Sequence, residues 1–400
     1  MKAKILYIWD SDYPWDVRVE KICKSLLRHG YEVHIACRNL RNRPFEEIID
    51  GIFIHRLKSY SSKRLNYTLS FPFFFNPLWV DLVKKVVKDH QIDLIIARDL
   101  PLCPLGILIA KKYKIPCIFD MAEDYVALVR DIWNDRKWQG FNFIVRNPYL
   151  AKLTELYCLK KADHILVVVE EAAEIVKKRG ASSQKITIIR NTPDLKLINS
   201  ALSLKNKKNS LFQYIENKFT AIYVGGIQMG RGIQTVIDAI PKIKDIIQDF
   251  LFVIVGDGYA KNYFEKIIKE KGIERYAILC GWVRHKDVYK YISVSKVGLI
   301  PHIVTDHTNT TLPNKIFDYM ALGIPVIASD SIPMKRIITR EKCGLFFKSR
   351  DANDLARCLI DLYCLDLINY FGNNGKKAVI NKYNWKKDEK KLIKVIEKLL

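Results

Sequence analysis

A short β-branched run, a turn, a helical segment and then another β-branched run: this alternation repeats along the chain and limits its fold more than any single motif. Residues 5–9 read as a strand, residues 17–28 as a helix with Val19, Ile22, Cys23 and Leu26 on one face, and residues 32–37 as the next strand. The pattern continues through strands at 93–97, 116–120, 164–169 and 186–190, with helices at 105–112 and 172–179. Strands separated by helices pair in parallel, because the crossover supplies the length of chain that a parallel connection needs. The implied unit is βαβ, and the implied layering is a parallel sheet covered by helices on both faces.

The alternation lapses over residues 196–218, which are polar and rich in Asn and Lys, and this stretch reads as a link. It restarts with strands at 220–224, 251–255, 277–280, 297–300 and 325–328 and helices at 232–243, 262–271 and 314–322. The expected architecture is α/β: two consecutive doubly wound, Rossmann-like domains over residues 1–195 and 219–375. Residues 376–400, with Leu392, Ile393, Ile396, Leu399 and Leu400 on one helical face, are expected to pack back across the domains. Ligands of such sheets bind outside the carboxyl ends of the strands, so the site is expected in a cleft that both sheets face.

Composition removes several function classes. With 400 residues and 49% hydrophobic side chains, the chain is long and apolar enough for two full cores, which excludes a disordered chain. Nine cysteines without a C-x-x-C suit neither a disulfide framework nor a zinc knuckle, and fit a reducing cytoplasm. Lys2 and Lys4 precede only a short apolar run closed by Asp10 and Asp12, so no signal peptide is expected; no apolar run is long enough to span a membrane. The formal net charge of +23 favours a polyanionic partner: nucleic acid, an anionic membrane surface or a phosphorylated substrate. The basic residues are dispersed and no nucleic-acid motif is present, so nucleic acid is not expected. Residues 66–79, aromatic, proline-bearing and uncharged, precede Lys84, Lys85 and Lys88; the combination suits either an anionic membrane interface or a packed loop.

The turns after the strands carry the chemistry. The first, from Asp10, lacks the G-x-G-x-x-G of a dinucleotide site. Asp10-Ser11-Asp12 reads first as a solvated turn and second as a divalent-ion carboxylate pair. Gly225-Gly226-Ile-Gln-Met-Gly230-Arg231-Gly232 follows a strand and opens a helix. It nearly spells a phosphate loop, but Arg231 replaces the lysine and Gly232 the hydroxyl that would hold Mg²⁺. Backbone N–H groups, a helix start and one guanidinium remain, suited to a diphosphate held without metal. Gly256-Asp257-Gly258 is a second glycine turn.

In Thr310-Thr-Leu-Pro313-Asn314-Lys315-Ile-Phe-Asp318, Pro313 suits a helix start and Asn314 can cap it. Lys315 then puts a cation in the first turn, where the helix dipole disfavours it unless an anion binds. Asp318 falls on the same face, one turn on. Glu123, just after a strand end of the first domain, faces the expected cleft or lies in a charged loop.

Taken in order, these segments resemble the retaining glycosyltransferases of family 4, with the GT-B fold. "YPWDVRVEKICKSLLRHGYEVHIACR" is similar to the family's opening, and "YVGGIQMGRGIQTVIDAI", "FVIVGDGYAKNYFEKI" and "LPNKIFDYMALGIPVIASD" to its donor domain. The sequence departs from the family pattern in places. The Glu-x7-Glu pair falls on Thr310 and Asp318, the Arg and Lys pair on Gly226 and Arg231, and Asp-x-His-Glu reads Asp120-Met121-Ala122-Glu123.

The resemblance implies transfer of a hexosyl group from a nucleoside diphosphate sugar (UDP- or GDP-linked) to a glycan or polyprenyl-linked acceptor, with retention. The donor would be bound by Gly225, Gly226, Arg231, Gly256, Trp282, Val283, Thr310, Pro313, Asn314, Lys315 and Asp318. Arg231, Lys315 and Glu123 would be catalytic, and Tyr13, Arg18 and Glu123 would lie on the acceptor side. No cofactor and no metal are expected. The setting it implies is cell-envelope polysaccharide assembly, in the cytoplasm or peripherally on the inner membrane face. A GT-B nucleotide-sugar epimerase and a non-catalytic basic binder are the alternatives.

Overall fold

The structure, a computed structural model, describes residues 3–14, 16–136, 143, 146–203 and 210–400. The chain divides into two compact units, residues 1–190 with 388–400, and residues 191–387.

The first unit is built on β1 (Lys4–Asp12), β2 (Glu32–Arg38), β3 (Glu46–Ile49), β4 (Ile52–Arg56), β5 (Leu94–Arg98), β6 (Cys117–Met121), β7 (His164–Val167) and β8 (Ile186–Ile188). They form one eight-stranded sheet in the order β3-β4-β2-β1-β5-β6-β7-β8. The central strand β1 pairs in parallel with β2 on one side and β5 on the other, placing Ile8 opposite Ala36 and Ala97. Ile5, Leu6, Tyr7 and Ile8 are all fully buried, as a strand covered on both faces requires. The following helix, Val17–Arg28, starts where Asp16 accepts the N–H groups of Arg18 and Val19, and its Val19–Ile22–Cys23–Leu26 stripe is buried.

The second unit holds β9 (Phe219–Val224), β10 (Phe250–Val255), β11 (Ala277–Gly281), β12 (Val297–Ile300), β13 (Val326–Ser329) and β14 (Gly344–Phe347). Their order is β11-β10-β9-β12-β13-β14, and every pairing is parallel. β9 lies between β10 and β12, so the strand order reverses there, the position where open α/β sheets leave a crevice.

Three features differ from the sequence expectation. β3 runs antiparallel to β4 through the two-residue turn Asp50-Gly51, both at positive φ. Asp-Gly is the signal of such a hairpin, so the turn was legible in the sequence. The stretch expected to be a plain link carries the helices Leu195–Ser203 and Ser210–Glu216, while its residues 204–209 lie outside the described residues. Ile198, Ala201 and Ile215 are buried there, because their helical spacing outweighs the polar composition around them. Near the end of the chain, helix Ile368–Asn381 is followed by a separate helix, Trp385–Leu399; it buries Leu392, Ile393 and Ile396, and its residues from Asp388 onward belong to the first unit. Among the described residues, no helix is long and apolar enough to cross a membrane.

Candidate active site

The carboxyl ends of β9, β10 and β12 carry the second unit's candidate site. β9 leads into Gly225 and Gly226, and Gly225 donates its N–H to Val255 at 2.9 Å. A Cβ on Gly256 would lie 1.9 Å from the Gly225 carbonyl oxygen, and the residue has φ +147°, so the two turns stack only because Gly256 lacks a side chain. Gly232, with φ +69°, opens helix Ile233–Lys244; a Cβ there would lie 1.7 Å from the Pro301 oxygen at the end of β12. The Tyr223 hydroxyl donates to Gly226 O at 2.9 Å, and the Ile303 N–H to Gly230 O at 3.1 Å. Residues 225–232 are therefore held against the ends of both neighbouring strands, with Arg231 half-buried just before the helix.

Lys315 reaches into this place from the next turn. Its ammonium lies 4.1 Å from the Tyr223 ring centroid, 3.4 Å from His302 Nε2, and 3.0 Å from where a Gly225 Cβ would stand. Among the described residues it makes no ion pair. Burial, then the nearby Arg231 charge, push its pKa well below the ordinary lysine range, with Asp318 pulling the other way. Burial first, then Lys315 and Arg231, hold His302 neutral. Two basic groups and a neutral imidazole around paired glycines make a candidate anion site, and among the described residues no carboxylate is in ion contact with Lys315.

The helix carrying Lys315, Lys315–Ala321, is fixed from below. The Tyr319 hydroxyl accepts the Val224 N–H at 3.2 Å and lies 3.3 Å from Ile222 O, while the absence of a side chain on Gly298 admits its ring. Asn314 is a correction to the expected cap: its backbone is already helical and its side chain makes no capping bond; its carbonyl accepts the Phe317 N–H instead. Thr310 is buried and donates its hydroxyl to His307 O at 2.8 Å, so that group is turned to holding its own loop. Pro313 and Asp318 are half-buried on either side of Lys315, and Val283 is half-buried beyond β11 beside Trp282, which is 67% exposed. Sequence reasoning missed His302; the signal available was a lone histidine directly after a buried strand.

In the first unit the expected acceptor residues divide. Glu123 is exposed just past β6. Tyr13 and Arg18 are each only 2% exposed. The Arg18 guanidinium is committed to Asp120, with Nε 3.0 Å and Nη2 2.5 Å from its carboxylate, and to Ile189 O at 2.8 Å; Tyr7 donates to the same carboxylate at 2.6 Å. A buried carboxylate needs a paired cation, and Arg18 is hydrogen-bonded to this one, so the arginine joins the core instead of facing a ligand. Asp10-Ser11-Asp12, expected first as a solvated turn, instead forms the end of β1, where Asp12 accepts the Leu40 N–H at 2.6 Å.

The residues missed here are Arg98 and Asp99, where a buried strand ends on two charges. Arg98 stacks over the Trp9 ring at 4.2 Å and pairs with Asp16. Burial pushes the Asp99 carboxyl up to about 8 despite Arg98, and Asp10 and Glu123 add to the rise. A carboxyl so perturbed at a strand's carboxyl end is a candidate proton acceptor. Among the described residues one cluster has metal-ligand character, His34, His55 and His90, also in the first unit.

Comparison with known proteins assigns the fold and family. A profile described as Glycosyltransferase Family 4 matches residues 16–197, and one described as Glycosyl transferases group 1 matches residues 218–364. The whole chain superposes on sucrose-phosphate synthase from Thermosynechococcus elongatus with a TM-score of 0.80, covering 100% of this chain and 99% of that one at 18% identity. The chain is a GT-B glycosyltransferase of the family 4, group 1 type.

This glycosyltransferase is also similar in fold to Anabaena HepE in complex with UDP-glucose, with a TM-score of 0.72, 14% identity and 100% of both chains covered. Among curated proteins it is 23% identical to an uncharacterized glycosyltransferase of Methanocaldococcus jannaschii, over 95% of this chain and 93% of that one. It is 21% identical to the alpha-monoglucosyldiacylglycerol synthase of Acholeplasma laidlawii, over 71% and 70% of the two chains.

Proposed function

We propose that the protein transfers a hexosyl group from a UDP- or GDP-linked sugar to a glycan or polyprenyl-linked glycan acceptor, with retention at the anomeric carbon. The observation that carries this reading is the Lys315 ammonium, desolvated beside Gly225, Arg231 and His302 with no ion-pair partner among the described residues. A diphosphate supplies the missing charge, and the fold relative with UDP-glucose in its structure supports a nucleotide sugar as its source.

As the glycosidic bond to the diphosphate breaks, positive charge grows at the sugar ring and negative charge on the leaving oxygens. Arg231, Lys315 and the N–H groups around Gly226 meet the leaving charge without a metal, which is where preorganised donors act most strongly. Asp318 accepts the ribose hydroxyls, Val283 and Trp282 flank the base, and Glu123 meets the acceptor, with Asp99 behind it. Leu65, Tyr67, Leu69 and Phe75 are exposed ahead of Lys84, Lys85 and Lys88. With the net charge of +23, they support an anionic membrane surface as the working place, at the inner face of the cytoplasmic membrane, in envelope polysaccharide assembly.

The test is thermal stabilisation by UDP, GDP and ADP, with and without Mg²⁺. Saturation at 100 times Kd adds about 2.7 kcal/mol. Stabilisation by one nucleotide without Mg²⁺ is the expected result. No stabilisation by any of them overturns the donor site; stabilisation with turnover of the nucleotide sugar but no acceptor requirement points to an epimerase.

A further inference from the structure

Well away in sequence from the glycine turns, three histidines converge in the first unit. His34 comes from β2, His55 from β4, and His90 is the last residue of helix Pro77–His90. One ring nitrogen of each lies within 4.8 Å of the other two. His34 Nδ1 and His55 Nε2 are 3.0 Å apart, and the His90 ring lies 4.5 Å from that of His34 and 4.9 Å from that of His55, centroid to centroid. Two nitrogens bound tetrahedrally to one zinc at ~2.0–2.1 Å are about 3.3 Å apart, so the closest pair is already near ligation spacing.

The surroundings orient the rings in the way metal ligands are oriented. His34 Nε2 lies 2.9 Å from Glu32 Oε1, so it carries the proton and donates it to the carboxylate. That leaves Nδ1 with its lone pair directed at the cluster. Glu46 Oε1 stands 3.9 Å from His55 Nδ1, on the far side of the ring from Nε2. A carboxylate hydrogen-bonded behind a ligating imidazole, as Glu32 is to His34, fixes the tautomer and raises ligand basicity; Glu46 is near His55 but beyond hydrogen-bond range. Burial keeps both His34 and His55 in the neutral form that a metal requires. A His34–His55 hydrogen bond alone satisfies two rings but leaves His90: among the described residues its ring nitrogens have no hydrogen-bond partner, though it lies against both.

We propose that His34, His55 and His90 bind one divalent first-row transition-metal ion of the zinc class, with a fourth position open to water beside the half-buried His90. Neutral imidazoles suit zinc, nickel and copper and do not suit magnesium or calcium. The ion would tie β2, β4 and helix Pro77–His90 together, a structural clamp independent of the nucleotide chemistry.

The test uses tag-free, full-length protein stripped with a chelator and titrated with Zn²⁺ and with Co²⁺. The expected result is one equivalent of Zn²⁺ bound, a raised melting temperature, and a tetrahedral Co²⁺ spectrum without thiolate charge transfer. His90→Asn is expected to keep the melting temperature of the stripped protein and to lose at least about tenfold in Zn²⁺ affinity, and Glu32→Gln about 10–100-fold through the His34 tautomer. Binding well below one equivalent overturns the proposal. So does a thiolate charge-transfer band, which puts the ion on cysteine, or unchanged affinity in a folded His90→Asn protein.

Discussion

The Lys315 ammonium stands 3.4 Å from His302 Nε2 and 4.1 Å from the centre of the Tyr223 ring, with Arg231 as the next charge. Both near partners are poor counterions: a neutral imidazole and the face of a phenol. A desolvated cation in such company costs stability in the ligand-free protein and returns it when an anion arrives.

Replacing Lys315 by Met therefore separates stability from function. The Lys315→Met protein is expected to be about 1 kcal/mol more stable than the parent without ligand, as often happens when a strained functional group is removed. It is expected to lose stabilisation by the nucleotide altogether. Chemical denaturation with and without UDP or GDP measures both; a destabilised variant that still binds overturns the assignment.

Proton linkage gives an independent check. The free pKa of Lys315 is depressed by burial and by Arg231, and a bound diphosphate raises it. Between the free and bound values, binding takes up a proton and the affinity falls as pH rises, by at most about tenfold per pH unit. Below the free value the affinity is flat. Calorimetry in two buffers of different ionisation heat, repeated at intervals from neutral to alkaline pH, should show net proton uptake in the window where affinity falls, and Lys315→Met should abolish it.

Arg231→Ala removes the guanidinium at the start of helix Ile233–Lys244. Turnover is expected to fall by about 10²-fold or more, the usual cost of deleting one donor aimed at developing negative charge. The fold should survive, since Arg231 is half-buried and has no ion-pair partner among the described residues. Full activity in this variant excludes it from the leaving-group site.

Arg18 and Asp120 form a buried pair whose role is structural. Burial raises the Asp120 carboxyl, but Arg18 and Tyr7 outweigh that and hold it below the usual carboxylate range. Asp120→Asn is expected to cost about 3–5 kcal/mol near neutral pH, because the Arg18 charge is left uncompensated. The contribution is present above the unfolded carboxyl's pKa and is lost as pH falls through the lower folded value, so the gap between variant and parent should close in acid. Urea melts across that range measure it.

Much of the fold was legible before any coordinates. Val19, Ile22, Cys23 and Leu26 recur at helical spacing and are buried on one face of their helix; residues 5–8 form an unbroken apolar run and become a strand covered on both sides. The glycine turns at 225–232 and 256–258 were legible as turns between a strand and a helix, and Lys315 as a cation in the first turn of a helix. Such features are local: propensity, periodicity and turn chemistry act over a few residues and can be read from them.

What needed the tertiary structure was every partnership between distant residues. Sequence alone determined two α/β sheets, and placed glycine turns and a first-turn lysine after strands of the second. Only the folded chain sent Arg18 across 102 residues to Asp120, an exchange of a charge for the nearest buried countercharge that no spacing reveals. It also put His302 against Lys315, raised the carboxyl of Asp99 by burial, and gathered His34, His55 and His90 from three elements. Electrostatics and ligation depend on distance through space and on loss of water, and both are set by which strands pair, so they are decided when the sheet forms.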